Sequence, residues 1–180
     1  MRLSLVLLFS LLIGNKCKCQ ELLQKDESYI RKCMIGEKGK LVLNRHTHDA
    51  ITNSDGIILA YLFKPDKLKN GGLFMKIFMF SSEGKCARYL HRYHGYESLR
   101  PIFDKFENPG SGFSRKEGKT TWVSKNNDRI SITIVKDVAF TPGPNFEINY
   151  IETPVGYVPG KTKLEENAED LLRKLKGQER

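Results

Sequence analysis

The run Ile130-Ser131-Ile132-Thr133-Ile134-Val135-Lys136 constrains the fold more than any other stretch of this chain. Successive side chains of a strand point to opposite faces, so the three isoleucines share one face while Ser131, Thr133 and Val135 take the other. Asn126-Asn127-Asp128 ahead of it reads as a hairpin turn, with Trp122 on the preceding strand placed to pack across. Trp122 is read as core rather than as a ligand platform. Similar β-rich runs lie at residues 41–43, 57–63, 73–80, 88–93, 120–124 and 146–151. Between the runs, Asp55-Gly56, Asn70-Gly71-Gly72, Glu83-Gly84, Asn108-Pro109-Gly110 and Pro142-Gly143-Pro144 supply positive dihedrals or fixed proline geometry for chain reversal. Short strands at this spacing predict a mainly β fold, an antiparallel β-sandwich over residues 40–153, rather than an α/β one.

The two ends of the chain read differently. Residues 3–14 form an apolar block behind Arg2, too short to span a bilayer and long enough for a signal-peptide core. Cys17 and Cys19 fill the small-residue positions before a cut, so 1–19 is read as a signal peptide, with a cut after Gly14 as the alternative. The expected compartment is therefore extracellular. Residues 20–39 read as a leader to the core, an ordered arm or a short helix, with apolar positions at Leu22, Leu23, Tyr29, Ile30 and Met34. Residues 154–161 read as a linker punctuated by Pro154, Gly156, Pro159 and Gly160. A C-terminal amphipathic helix is expected over 162–177. Thr162-Lys163-Leu164-Glu165 has the form of a capping box, Leu164, Ala168, Leu171, Leu172 and Leu175 recur at helical spacing, and Glu169–Arg173 and Asp170–Lys174 are i,i+4 pairs.

Secretion shapes the reading of charge and thiols. The whole chain carries 30 Lys and Arg against 21 Asp and Glu. Removing Arg2, Lys16 and Lys18 with the leader lowers the first count to 27, a net +6. No Asn-x-Ser/Thr acceptor occurs, and no second apolar stretch is long enough for a transmembrane helix. Cys33 and Cys86 survive the cut and suffice for one intramolecular disulfide in an oxidising compartment, whereas their spacing does not suit a structural zinc site.

The stretch CARYLHRYHGYESLRPIFDKF, followed by TTWVSKNNDRISITIVKD and PNFEINYIE, resembles the second half of a CUB domain. Cys86, Tyr89-Leu90, Gly95, Phe106, Ser124, Asn127, the isoleucine alternation, Asp137, Phe146 and Tyr150 follow the order of that family's motifs. In the first half, Cys33, residues 59–63 and the run 73–80 look like its first cysteine and two of its strands. The resemblance spans about residues 33–152 and implies a CUB-like jelly roll. Leu59 and Glu107 stand where the family's second and fourth cysteines fall, so one member of each usual pair is kept. Many CUB domains bind calcium through acidic residues. Glu83 and Asp137 look like two of these, but Arg88 occupies the third, which implies a lost calcium site.

Read as a strand, residues 88–94 point Arg88, Leu90, Arg92 and His94 one way and Tyr89, His91 and Tyr93 the other. Lys85, Arg88, Arg92, His94, Arg100, Arg115 and Lys116 then form the candidate ligand-binding set, cations interleaved with tyrosines of the kind that recognise polyanions. For a secreted chain the available partners are an extracellular protein or a sulfated glycan, not nucleic acid. His46-Thr47-His48-Asp49 places two imidazoles on one face of an extended segment, but two histidines make no zinc site and a polar surface loop is the commoner explanation. The sequence contains no nucleophile elbow or phosphate loop, and no cofactor is implied. The leading expectation is a secreted non-enzymatic binding module. Its rivals are a small secreted hydrolase such as a basic ribonuclease, and a carrier of an apolar small ligand suggested by the run 73–80.

Overall fold

The computed structural model describes residues 22–49, 54–64, 72–136, 145–153 and 155. The signal peptide, the C-terminal helix, Asp137 and all of the linker but Val155 lie outside these. Along the chain come α1 (Glu27–Gly36), β1 (Lys40–Asp49), β2 (Ser54–Leu62), β3 (Leu73–Phe80), β4 (Cys86–His94), α2 (Leu99–Glu107), a 3-10 turn (Pro109–Ser111), β5 (Phe113–Arg115), β6 (Thr121–Ser124), β7 (Ile130–Lys136) and β8 (Asn145–Glu152). The fold is mainly β, as the turn spacing predicts. The strands, however, all join one antiparallel sheet in the order β1-β2-β3-β4-β8-β7-β6-β5, where the sequence reading expects two packed sheets. The physical reason lies in β8. It pairs with β4 on one side and β7 on the other, joining two four-stranded meanders edge to edge into one sheet.

Register fixes which side chains meet. Asn44, Leu59, Phe78, Tyr89, Tyr150, Ile132, Trp122 and Arg115 are successive cross-strand partners, one from each strand, in a row that crosses the whole sheet. A second row, Tyr61, Lys76, His91, Ile148 and Ile134, lies beside it on the same face. Both helices pack here. Ile30 and Met34 of α1 and Leu99, Phe103 and Phe106 of α2 are buried in one cluster with these strands. Each fully buried large side chain contributes about 1.5–3 kcal/mol relative to exposure, so this face carries most of the apolar stabilisation.

Local chemistry explains the helices. In α2, Leu99, Ile102, Phe103 and Phe106 fall at i, i+3, i+4 and i+7, which puts all four on one side, and Pro101 sits in the first turn where its missing N–H costs little. Asn108 ends it, its side chain accepting the Gly110 N–H at 2.8 Å. The leader before α1 is tied down by backbone bonds from Gln24 N–H to the Cys86 carbonyl and from Cys86 N–H to the Lys25 carbonyl. Of the 20–39 segment, the described residues 22–39 hold a short helix, α1, whose Ile30 and Met34 are buried in the core. Among the described residues no helix is long and apolar enough to cross a membrane.

On the other side of the sheet, a Cβ on Gly56 would come within 1.6 Å of the Phe80 carbonyl oxygen, so only glycine permits the close approach of β2 to the end of β3. The same corner is bent further. Arg88 of β4 reaches Asp49 of β1 at 3.0 Å, although three strand spacings, about 14 Å in a flat sheet, separate β4 from β1. The β1–β2 corner therefore coils toward the face that carries Arg88.

Candidate functional site

The face holding Arg88 is built from paired polar groups. Arg88 donates through Nε and Nη2 to the Asn149 Oδ1 at 3.2 and 2.7 Å, and through Nη1 to Asp49. Asn149 in turn donates to the Glu147 Oε1 at 2.9 Å, and the other Glu147 oxygen accepts from the Arg92 Nε at 2.8 Å. The His94 Nδ1 lies 2.7 Å from the Asn145 Oδ1, and its ring stacks on Phe74 with centroids 4.0 Å apart. Thr121 and Thr133 hydroxyls meet at 3.2 Å. Beside this ladder, Ile58, Ala60, Ile77 and Leu90 form a small apolar cluster.

The seven residues expected to bind ligand are thus dispersed rather than gathered. Arg88, Arg92 and His94 share one face of β4. Lys85, just ahead of that strand, pairs with Asp26 at 2.7 Å, and Arg100 on α2 pairs with Asp104 at 3.0 Å. Arg115 on β5 pairs with Glu107 at 2.6 Å and lays its guanidinium over the Phe103 and Trp122 rings, with Lys116 exposed in the turn that follows. Five of these cations are engaged by carboxylates. Arg88, at the position from which the resemblance infers a lost calcium site, faces Asp49 and Asn149. Glu83 sits exposed in the β3–β4 turn.

His46 and His48 lie in β1, not in a loop, and they do share one face. The His48 Nδ1 is 2.9 Å from the Asp55 Oδ1, while Asp49 points to the opposite face. Among the described residues no three His, Cys, Asp or Glu side chains gather as a metal site. The expected bridge between Cys33 and Cys86 is not formed: both are thiols. Cys86 is fully buried at the start of β4 with its Sγ 3.5 Å from the Arg88 carbonyl, and Cys33 lies half-buried on α1. Burial pushes the Cys86 thiol far above its ordinary pKa, which disfavours the thiolate that disulfide exchange requires.

The opposite face is aromatic. Tyr89 stacks on Tyr150 with centroids 4.4 Å apart, and Tyr93 on Phe146 at 4.8 Å. Phe106 of α2 contacts Trp122 and Tyr150 at 5.6 and 6.4 Å. Among the described residues, the His91 Nε2 and the Trp122 Nε1 on this face are buried without a hydrogen-bond partner. His91 is 1% exposed and lies between Tyr89, Tyr93 and Tyr150, with ring centroids at 5.5, 6.5 and 5.4 Å. Burial, reinforced by the positive charges of Lys76 and Lys105, pushes its pKa well below the ordinary histidine value, so the imidazole is neutral. Lys76, directly across from His91 on β3, is buried as well, bonded to Glu37 after α1 and 5.4 Å from the Phe63 ring centroid. Burial raises the Tyr61 phenol, partly offset by Arg31 of α1.

The helices divide this face. Arg31 and Glu37 bring the α1 end over Tyr61 and Lys76, and Phe103 and Phe106 bring α2 over Trp122 and Tyr150. His91 on β4 lies between the two. Sequence reasoning put Tyr89, His91 and Tyr93 on a common face but passed over Lys76. Its signal was a lone cation in the apolar run Leu73-Phe74-Met75-Lys76-Ile77-Phe78-Met79-Phe80, where a buried charge demands a partner. Compared with protein-family models, curated proteins and solved structures, the chain matches none. The likeness to CUB domains accordingly rests on its residues alone.

Proposed function

We propose that the chain is a secreted, non-enzymatic binding protein that carries a small ligand with an apolar body in the aromatic layer between sheet and helices. One observation carries this reading: the His91 Nε2 and Trp122 Nε1 are buried without partners on one aromatic face, whereas the polar groups of the opposite face are hydrogen-bonded to one another. A buried polar group lacking its hydrogen bond costs about 1–3 kcal/mol, and a ligand that supplies the bond recovers it. The glycan reading draws less support, since five of the cations it relied on already face carboxylates. Native mass spectrometry of full-length protein released from a secreting host tests the proposal. A bound mass lost on denaturation, or saturable one-to-one uptake of a fluorescent apolar probe, is expected. Protein that holds no such mass and takes up no probe overturns it.

A further inference from the structure

At the far edge of the sheet, β1 offers a surface unrelated to the carried ligand. We propose that β1 is a docking strand for an extended acidic peptide of another protein, which adds to its outer edge as a further strand and sets a carboxylate opposite Arg45.

The backbone supplies the template. β1 stands last in the strand order, so among the described residues only one of its edges is paired, and the other presents N–H and C=O groups with no strand beside them. Its ten residues make a long edge, where β5 at the opposite end of the sheet has only three. Edges of this kind are ordinarily blunted by proline, by a covering segment or by a bulge. β1 contains no proline, and its register shift falls between Leu41 and Leu43, which leaves residues 43–49 in unbroken register with β2. Nor is the strand covered: Leu41 and Val42 are 39% and 45% exposed, and Lys40, Asn44, Arg45, His46 and His48 are exposed as well.

Side chains then select the partner. Lys40, Leu43 and Arg45 lie opposite Leu62, Ala60 and Ile58, every second residue of β2, and so share one face, where Leu43 packs against the small apolar cluster. Among the described residues neither Lys40 nor Arg45 has an ion pair. The carboxylates of this corner are already engaged, Asp49 by Arg88 and Asp55 by His48. Like charges directly opposite destabilise a strand pair, so a second copy laid on this edge brings two basic rows together at a cost. The complement is a strand that carries acidic, apolar and acidic residues on one face, the apolar one meeting Leu43. The cations thus reject an edge of their own kind and admit an acidic one.

Fluorescence anisotropy of a labelled peptide, Thr-Glu-Thr-Val-Thr-Glu-Thr, tests this with the full-length protein and its Arg45→Glu variant. Three companions accompany it: one with Lys in place of both Glu, one N-methylated at the Thr residues, and one N-methylated at Glu and Val. The acidic peptide is expected to bind about tenfold more tightly than the lysine peptide, and Arg45→Glu to reverse that order. Only one set of alternate N–H groups of an added strand faces β1, so one methylated form is expected to lose about tenfold and the other little. The peptide series decides the matter on wild type alone, even if Arg45→Glu fails to fold. An acidic peptide that does not bind, or whose advantage survives Arg45→Glu, overturns the proposal. Two methylated forms that bind as tightly as the parent do so too, because charge without strand addition then holds the peptide. A wild-type dimer in sedimentation that the acidic peptide fails to dissociate marks a second copy as the occupant and likewise overturns it.

Discussion

The two faces of the sheet are made by alternate residues of the same strands, yet they bury polarity in opposite ways. On one, Arg88, Arg92, Glu147, Asn149 and Asp49 satisfy each other in a continuous ladder. On the other, His91 and Trp122 hold polar atoms among aromatic rings without hydrogen bonds. A completed polar network is self-sufficient and speaks of architecture. An incomplete one in an otherwise well-packed layer is the feature on which the proposed carrier function rests.

The contrast is open to breakage, and the heaviest blow falls on the completed face. Arg88→Asp leaves Asp49 and Asn149 without their donor and adds a second buried carboxylate, so we expect a loss of about 3–5 kcal/mol in urea unfolding. A loss below about 1 kcal/mol would mean that this ladder is no network. Asn149→Leu, which removes one acceptor of Arg88 and one donor to Glu147, is expected to cost roughly 1–3 kcal/mol by the same measurement.

Changes on the incomplete face have a smaller effect and a pH signature. His91 is held neutral in the folded chain, whereas the unfolded chain takes up a proton below the ordinary histidine pKa of 6.5. Its contribution is intact above pH 6.5 and falls as pH drops toward the lowered folded value, by up to about 1.4 kcal/mol per pH unit. Urea unfolding at pH 7.0 and 5.5 should show wild type losing about 1 kcal/mol more than His91→Phe. Equal losses would place the imidazole in contact with water. At pH 7 the same variant should match or slightly exceed wild type, because a polar group without a bond is replaced by a ring of similar shape. Arg100→Ala, which breaks an exposed i,i+4 pair, should shift stability by less than about 0.5 kcal/mol, the smallest effect of the series.

How far the sequence reaches differs for the two faces. Alternation along residues 88–94 assigns each side chain of β4 to its face, and the sheet bears this out. What alternation cannot carry is the identity of the neighbour. The carboxylate facing Arg92 lies 55 residues away and the one facing Arg88 lies 39 away, so a run of cations in the sequence does not show which of them stay unpaired. The same limit hid the β4–β8 joint, and with it the single sheet. α2 escaped notice because its apolar spacing spans only two turns before Asn108-Pro109-Gly110, too short for periodicity to stand apart from a loop. β1 was read as three residues because its second half is exposed on an edge strand, where no hydrophobic pattern is demanded.

The joint between β4 and β8 has a kinetic consequence as well. Every other strand pairs with its neighbour in sequence, so each four-stranded meander assembles from local hairpins with short loops to close. The β4–β8 ladder alone requires a long segment of chain to return before any contact rewards it, which makes it the slow, entropy-limited step of folding. Until it forms, two unpaired strand edges stand open to other chains, so misassembly threatens that interval rather than the finished fold.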